Sequence, residues 1–113
     1  MTLCEVKNKG GITIVVMPPQ IDHVVAMTLD QELQELVTME QKAMLCDFSS
    51  TKYISSSGLR VILKAAKTLK SKGNRFGIFS LTHFVDHIFA TSGFSDIIPI
   101  YESEEAAVRA VTR

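Results

Sequence analysis

The fold is decided by the stretch Asp47-Phe48-Ser49-Ser50-Thr51-Lys52-Tyr53-Ile54-Ser55-Ser56-Ser57-Gly58-Leu59. An apolar run, residues 43–48, leads into this stretch and is typical of a buried central strand. A polar loop, residues 49–52, follows it, and an amphipathic pattern that begins at Gly58 predicts a helix over residues 58–72. In α/β proteins, binding sites gather in such strand-to-helix loops. Residues 49–58 are therefore the first candidates for function.

Short β-rich runs and amphipathic helices alternate along the rest of the chain. Gly10-Gly11 separates two β-rich runs and predicts a hairpin, and Asp22 is placed to cap the helix that follows it. The other predicted elements are strands at residues 3–7, 12–17, 76–81 and 97–101, and helices at residues 83–92 and after Ser103. The order ββαβαβαβα predicts an α/β fold, with a mixed, mostly parallel sheet and about four helices packed on it. One domain over residues 1–113 is expected.

Composition and charge exclude several functional classes. Twelve basic residues balance twelve acidic ones among 113, so no net field draws the chain to nucleic acid or to an anionic membrane. No apolar run approaches the roughly 20 residues of a membrane span.

Cys4 and Cys46 both lie in apolar stretches and are expected to be buried thiols, without a disulfide framework or a metal cage. A reducing cytoplasm is the expected compartment.

Two patterns that suggest chemistry are weak on inspection. His83 and His87 are four residues apart, as in some zinc sites, but no Glu follows His83 and no third ligand is evident. Ser56 does not lie in the Gly-x-Ser-x-Gly turn of hydrolases, and no His–acid pair can be assigned to it. Neither a metal, a cofactor nor a catalytic residue is therefore expected.

The central stretch resembles the signature of STAS domains, best known from bacterial anti-sigma factor antagonists. That signature is a strand ending in Asp, a short loop, an apolar pair, and Asp-Ser-Ser-Gly-Leu opening a helix. Ser55 stands where the family has the Asp of this last motif. Other family landmarks follow in order along nearly the whole chain: Ile21-Asp22, Lys72-Gly73-Asn74, Thr91-Ser92-Gly93-Phe94 and Tyr101-Glu102-Ser103-Glu104-Glu105-Ala106. The resemblance implies a STAS fold.

The resemblance also implies a protein-binding switch and not an enzyme. In this family the unmodified antagonist binds an anti-sigma factor and so releases a sigma factor. That anti-sigma factor is commonly a serine kinase, which supplies ATP and Mg²⁺ and phosphorylates the first Ser of the motif, here Ser56. The expected partner-binding residues are Asp22, Ser49, Ser50, Thr51, Ser55, Ser56, Ser57, Gly58, Leu59 and Arg60. The chain would be a cytoplasmic monomer or weak homodimer.

The start of a helix suits such a switch for physical reasons as well. Its free N–H groups and the positive end of its dipole tolerate a phosphate, which adds about −1.5 to −2 charge to the surface. Three other interpretations stay open. The three serines 55–57 could serve only as helix caps. The chain could be a STAS scaffold or sensory-complex subunit that is never phosphorylated, or a small-ligand or nucleotide-binding module.

Overall fold

The computed structural model describes residues 3–113; Met1 and Thr2, the start of the predicted domain, lie outside the described residues. The strands are β1 (Glu5–Lys9), β2 (Ile12–Val16), β3 (Gln20–Ile21), β4 (Ala43–Asp47), β5 (Tyr53–Ile54), β6 (Arg75–Phe79) and β7 (Ile100–Tyr101). The helices are α1 (His23–Val37), α2 (Ser56–Ser71), α3 (His83–Ser92) and α4 (Glu104–Val111).

A five-stranded sheet in the order β1-β2-β4-β6-β7 forms the centre of the molecule. β1 and β2 are antiparallel and joined through Gly10 and Gly11, whose φ angles of 58° and 88° are open to glycine at little cost. All other neighbours in the sheet are parallel. The predicted α/β fold with a mixed, mostly parallel sheet and four helices is therefore confirmed.

Helices cover both faces of this sheet. The larger core lies beneath α1, α2 and α3, where Phe89 of α3 meets Phe48 in a T-shaped contact with ring centroids 5.8 Å apart. A smaller core lies beneath α4, around Leu45 and Phe79. Burial on both faces explains why β4 is a continuous apolar run and not an alternating one. Within residues 3–113, no helix is long and apolar enough to cross a membrane.

The structure differs from the sequence prediction at β3, β5, α2 and β7, and by one or two residues at the ends of the other strands. β3 and β5 form a separate two-stranded parallel sheet that was not predicted. α2 begins at Ser56, two residues before the predicted start. The predicted strand 97–101 shrinks to Ile100–Tyr101 because the Ile97 and Ile98 N–H groups donate to the Phe94 carbonyl oxygen and so belong to the 3₁₀ turn that begins at Phe94.

Candidate functional site

The small sheet of β3 and β5 brings two helix starts together. Its strands run parallel, with Ile21 beside Ile54, and each strand leads within one residue into a helix. The Ser55 N–H donates to the Ile21 carbonyl oxygen at 2.8 Å, which extends this pairing to the last residue before α2. The N-termini of α1 and α2 therefore lie side by side at one end of the molecule, and both point their positive dipole ends there.

Each of these two helices carries a side-chain cap. Asp22 Oδ1 accepts from the Val25 N–H at 2.8 Å, so the predicted cap of α1 is confirmed. Ser55 Oγ accepts from the Gly58 N–H at 3.1 Å and caps α2. Because Asp and Ser are about equally good N-caps, the Ser that replaces the family Asp at this position removes a charge but keeps the cap.

The three neighbouring serines have three different roles in the structure. The Ser55 hydroxyl accepts the capping hydrogen bond from the Gly58 N–H. The Ser57 Oγ lies 2.9 Å from Nδ1 of His23. Ser56, in the first turn of α2, is exposed, and its hydroxyl has no hydrogen-bond partner within residues 3–113. Of the three, only Ser56 presents a free hydroxyl to the surroundings.

His23 is a member of this site that the sequence did not identify. Its ring joins the first turn of α1 to the first turn of α2 through Ser57. No motif marked His23; its position directly after the Asp22 cap was the only available signal. The contact fixes the side of α2 that faces α1 and leaves Ser56 on the outer side.

Gly58 lets α2 lie directly against the small sheet. A Cβ at this position would be 2.7 Å from Ile21 Cγ2 and 2.8 Å from Ile54 Cγ1, closer than apolar carbons can approach. The glycine of the motif is thus a packing residue that sets how close the helix start lies to β3 and β5.

Three of the predicted contact residues, Thr51, Gly58 and Leu59, are buried beneath the surface of the site, and their contact with a partner stays a prediction. Gly58 and Leu59 pack into the core, Leu59 with 5% of its surface exposed. Thr51 is fully buried, and its hydroxyl donates to the Pro18 carbonyl oxygen at 2.9 Å. These residues position the site from beneath.

The remaining predicted residues are at the surface. Ser49 and Ser50 are exposed in the loop after β4, where the Ser49 N–H donates to Asp47 Oδ1 at 2.9 Å. Asp22 and Arg60 are exposed as well, Arg60 one helical turn after Ser56. Their contact with a partner stays a prediction.

The loop between β4 and β5 is anchored at its base. The Lys52 N–H donates to the Pro19 carbonyl oxygen at 2.7 Å, and the Thr82 hydroxyl donates to the Thr51 carbonyl oxygen at 2.9 Å. The second contact ties the loop to the start of α3. The loop is therefore held between the small sheet and α3. Ser49 and Ser50 lie in a loop whose backbone is fixed by these hydrogen bonds.

The cysteines and the two spaced histidines of the chain do not form a reactive or metal-binding cluster within residues 3–113. Cys4 and Cys46 are free, buried thiols, as predicted. Burial, assisted by the Glu32 carboxylate, raises the pKa of the Cys4 thiol to about 12, and burial also raises the pKa of Cys46. Thiols with raised pKa values are poor nucleophiles. His83 and His87 are exposed, and residues 3–113 contain no cluster of three metal-ligating side chains.

Comparison with known proteins finds a family match and relatives that are named anti-sigma factor antagonists. A sequence profile of the STAS domain matches residues 4–107. BtrV of Bordetella bronchiseptica, which has the provisional name anti-sigma factor antagonist, is 33% identical over 100 residues, 88% of this chain and 86% of BtrV. The anti-sigma F factor antagonist of Paenibacillus polymyxa is 26% identical over 105 residues, 92% of this chain and 90% of the relative.

The fold of this chain is also similar to the folds of solved anti-sigma factor antagonists. The anti-sigma factor antagonist SpoIIAA in its unphosphorylated form has a TM-score of 0.82 at 15% identity, over 96% of both chains. The phosphorylated form of SpoIIAA, a Bacillus cell fate determinant, has a TM-score of 0.73 at 14% identity, over 96% of this chain and 98% of that one. With its profile match, its sequence relatives and its fold, this chain belongs to the STAS domain family.

Proposed function

We propose that this protein is an anti-sigma factor antagonist that is switched by phosphorylation of Ser56. In its unmodified state it binds an anti-sigma factor that is also a serine kinase, and this frees a sigma factor for transcription. The kinase transfers the γ-phosphoryl group of ATP to Ser56 Oγ. The new O–P bond replaces the bond to the leaving ADP, and the hydroxyl proton passes to a base of the kinase.

The free hydroxyl of Ser56 is the observation that carries this proposal. A kinase must reach the oxygen with its own base and with ATP, so a capping or buried serine is a poor substrate. Ser55 is held by its cap and Ser57 by His23, whereas Ser56 is exposed. The relatives' names and the existence of a phosphorylated SpoIIAA support the choice of this chemistry.

The electrostatics of the site favour a switch that leaves the fold intact. A phosphate on Ser56 would lie at the N-terminus of α2 and beside that of α1, and both helix dipoles stabilise negative charge there. Arg60, one turn along α2, is within the i,i+4 spacing of an ion pair with it. The added charge of about −1.5 to −2 is then accommodated by the protein itself.

The surroundings of Ser56 suit a partner that buries apolar surface. Val24 is 71% exposed next to His23, and Tyr53 is 43% exposed two residues before Ser55. Phe84, 53% exposed, lies two residues after Thr82, which is bonded to the loop. Large exposed apolar side chains on the elements that carry a site favour a protein-binding function. A phosphate placed among them would have to lose its hydration on binding, which opposes the complex.

The proposal is tested by affinity capture from a lysate of the source organism, with wild type, Ser56→Asp and Ser103→Asp chains as baits. Ser103 caps α4, on the other face of the sheet, so Ser103→Asp adds the same charge at a helix start while keeping a cap. We expect wild type and Ser103→Asp to retain an ATP-binding kinase that Ser56→Asp loses. Incubation of the captured kinase with ATP should then add one phosphate, located at Ser56 by mass spectrometry.

Two outcomes would contradict the proposal. Capture of the same partner by all three baits would show that charge at Ser56 does not control binding, as in an unphosphorylated STAS scaffold. Loss of binding by Ser56→Asp together with a lower melting temperature would show that the substitution acts through the fold. The thermal unfolding of each bait is therefore measured beside the capture.

A further inference from the structure

A cavity lies at the end of α2 opposite to Ser56. It has a volume of about 580 Å³ and is bounded by the last turns of α2, the start of β6, the segment before β7 and the end of α4. Its apolar walls are Phe76, Ile97, Pro99, Tyr101 and Val111. Pockets of this size and apolar character commonly bind small molecules.

The cavity exists because the edge of β6 is left open. The Ile78 and Ser80 N–H groups donate to the carbonyl oxygens of Pro99 and Tyr101, at 3.0 and 3.2 Å. The alternation of a strand turns the N–H and C=O of Phe76 toward the same edge, but β7 pairs only with Ile78 and Phe79. Pro99 has no N–H with which to reach back to Phe76. The backbone donor and acceptor of Phe76 therefore face this edge without a partner strand from residues 3–113.

An aromatic wall is built into the same place. A Cβ on Gly77 would lie 2.7 Å from Tyr101 Cε2, so only glycine allows the Tyr101 ring to lie directly against β6. Ile97, 58% exposed, adds a large apolar side chain to the lining.

The charged side chains of the lining have one sign, opposite to the negative dipole ends of α2 and α4 that also bound the cavity. Lys67, Lys70 and Arg75 are its charged residues, and no acidic side chain contributes to it. Within residues 3–113 no carboxylate pairs with these three cations, although the chain forms ion pairs elsewhere, such as Lys64 with Asp30. The Arg75 Nη1 donates to the Ala110 carbonyl oxygen at 2.6 Å, which fixes the guanidinium beside the cavity.

We propose that this cavity is a binding site for a small anionic ligand, with an aromatic or branched apolar body and a carboxylate, sulfonate or phosphate group. The body would pack against Ile97 and Tyr101, the anionic group would lie at Lys67 and Lys70, and the free backbone groups of Phe76 would orient the ligand. A peptide added as a strand fits less well, because such a strand needs several free backbone positions along the edge. The site is independent of the Ser56 surface.

The probe for the test is 8-anilinonaphthalene-1-sulfonate, an aromatic sulfonate, and its control is N-phenyl-1-naphthylamine, the same body without the charge. Both are titrated by fluorescence into the full chain, whose native state is verified by a cooperative thermal transition because the sulfonate also binds partly unfolded proteins. We expect saturable 1:1 binding of the sulfonate, and a shift of the Phe76 amide resonance in the ¹H–¹⁵N spectrum without a shift at Ser56.

Variants separate the contributions of charge and cavity. Lys67→Gln/Lys70→Gln should weaken sulfonate binding about tenfold, the loss of a charge-assisted contact, and change binding of the uncharged control less than about twofold. Lys64→Gln, on the same helix but outside the cavity, should match wild type with both probes. Ala66→Phe, which fills the cavity, should abolish both.

Three results would overturn the proposal. They are the absence of saturable sulfonate binding by the folded chain, equal sulfonate affinity in the double variant and Lys64→Gln, and resonance shifts that lie around Ser56 instead of Phe76.

Discussion

Substitution of Gly58 by Ala tests whether α2 lies directly against the small sheet. Two effects on the free energy of unfolding oppose each other in this variant: a gain in helix propensity and a steric clash. In an open helix this change stabilises a protein by about 1 kcal/mol. Here the added methyl group would lie 2.7 Å from Ile21 Cγ2 and 2.8 Å from Ile54 Cγ1, about 1 Å inside the separation that two carbons prefer. Ile21 and Ile54 are 0% and 2% exposed and cannot swing into solvent.

The steric effect should be the larger of the two. Overpacking a core costs about 1–3 kcal/mol, and two simultaneous contacts with buried side chains put Gly58→Ala in the upper part of that range. After the gain in helix propensity, the free energy of unfolding should fall by about 1–2 kcal/mol. Urea unfolding followed by circular dichroism measures this change directly, and an unchanged slope shows that the unfolded state is unaffected.

A double-mutant cycle with Ile54→Ala identifies the contact responsible. Because Ile54→Ala removes the Cγ1 atom that the new methyl group would strike, Gly58→Ala should destabilise the Ile54→Ala chain less than it destabilises wild type. If Gly58→Ala were as stable as wild type, or if its effect were the same in both backgrounds, the close approach of α2 to the small sheet could not be the reason for this glycine.

Three further predictions concern the parts that support the site. Ser55→Ala should lower the free energy of unfolding by about 1 kcal/mol through loss of the cap, whereas Ser55→Asp should leave it within about 0.5 kcal/mol of wild type; a Ser55→Asp chain as unstable as Ser55→Ala would refute the capping role. Thr51→Val removes the buried hydroxyl that donates to Pro18 and should cost about 1–3 kcal/mol in urea unfolding, against less than about 0.5 kcal/mol for Thr91→Val, whose hydroxyl is exposed. Because burial raises the pKa of the Cys4 thiol to about 12 and raises that of Cys46, the unfolded chain loses thiol protons at a lower pH than the folded chain. The free energy of unfolding should then fall as the pH rises above the ordinary thiol value of 9.0, and a Cys4→Ala/Cys46→Ala chain should not show this part of the fall.

The sequence predicted the long elements well because their signals are periodic. The amphipathic patterns of α1 and α2 and the apolar run of β4 require particular burial, and the structure supplies it. β3 and β5 have two residues each, too few for any period, and they exist only because the chain segments before α1 and α2 meet in space. Such pairing is a tertiary contact that local patterns cannot reveal.

The same limit explains the errors within the site. The amphipathic pattern becomes visible only at Gly58 and therefore predicts a helix start there, but the Ser55 cap brings Ser56 and Ser57 into the first turn of α2. Thr51 and Leu59 are buried and pack beneath the site, and a sequence motif alone does not distinguish buried residues from surface residues. His23 joined the site only through a contact across 34 residues of sequence.

The switch at Ser56 is tested most directly by calorimetric titration of the purified partner kinase with two forms of this chain, unmodified and phosphorylated at Ser56. We predict that the unmodified form binds and that the phosphorylated form binds at least about a hundredfold more weakly, because the phosphate would have to lose its hydration in the interface, with no loss of thermal stability. Equal affinities for the two forms would contradict the switch.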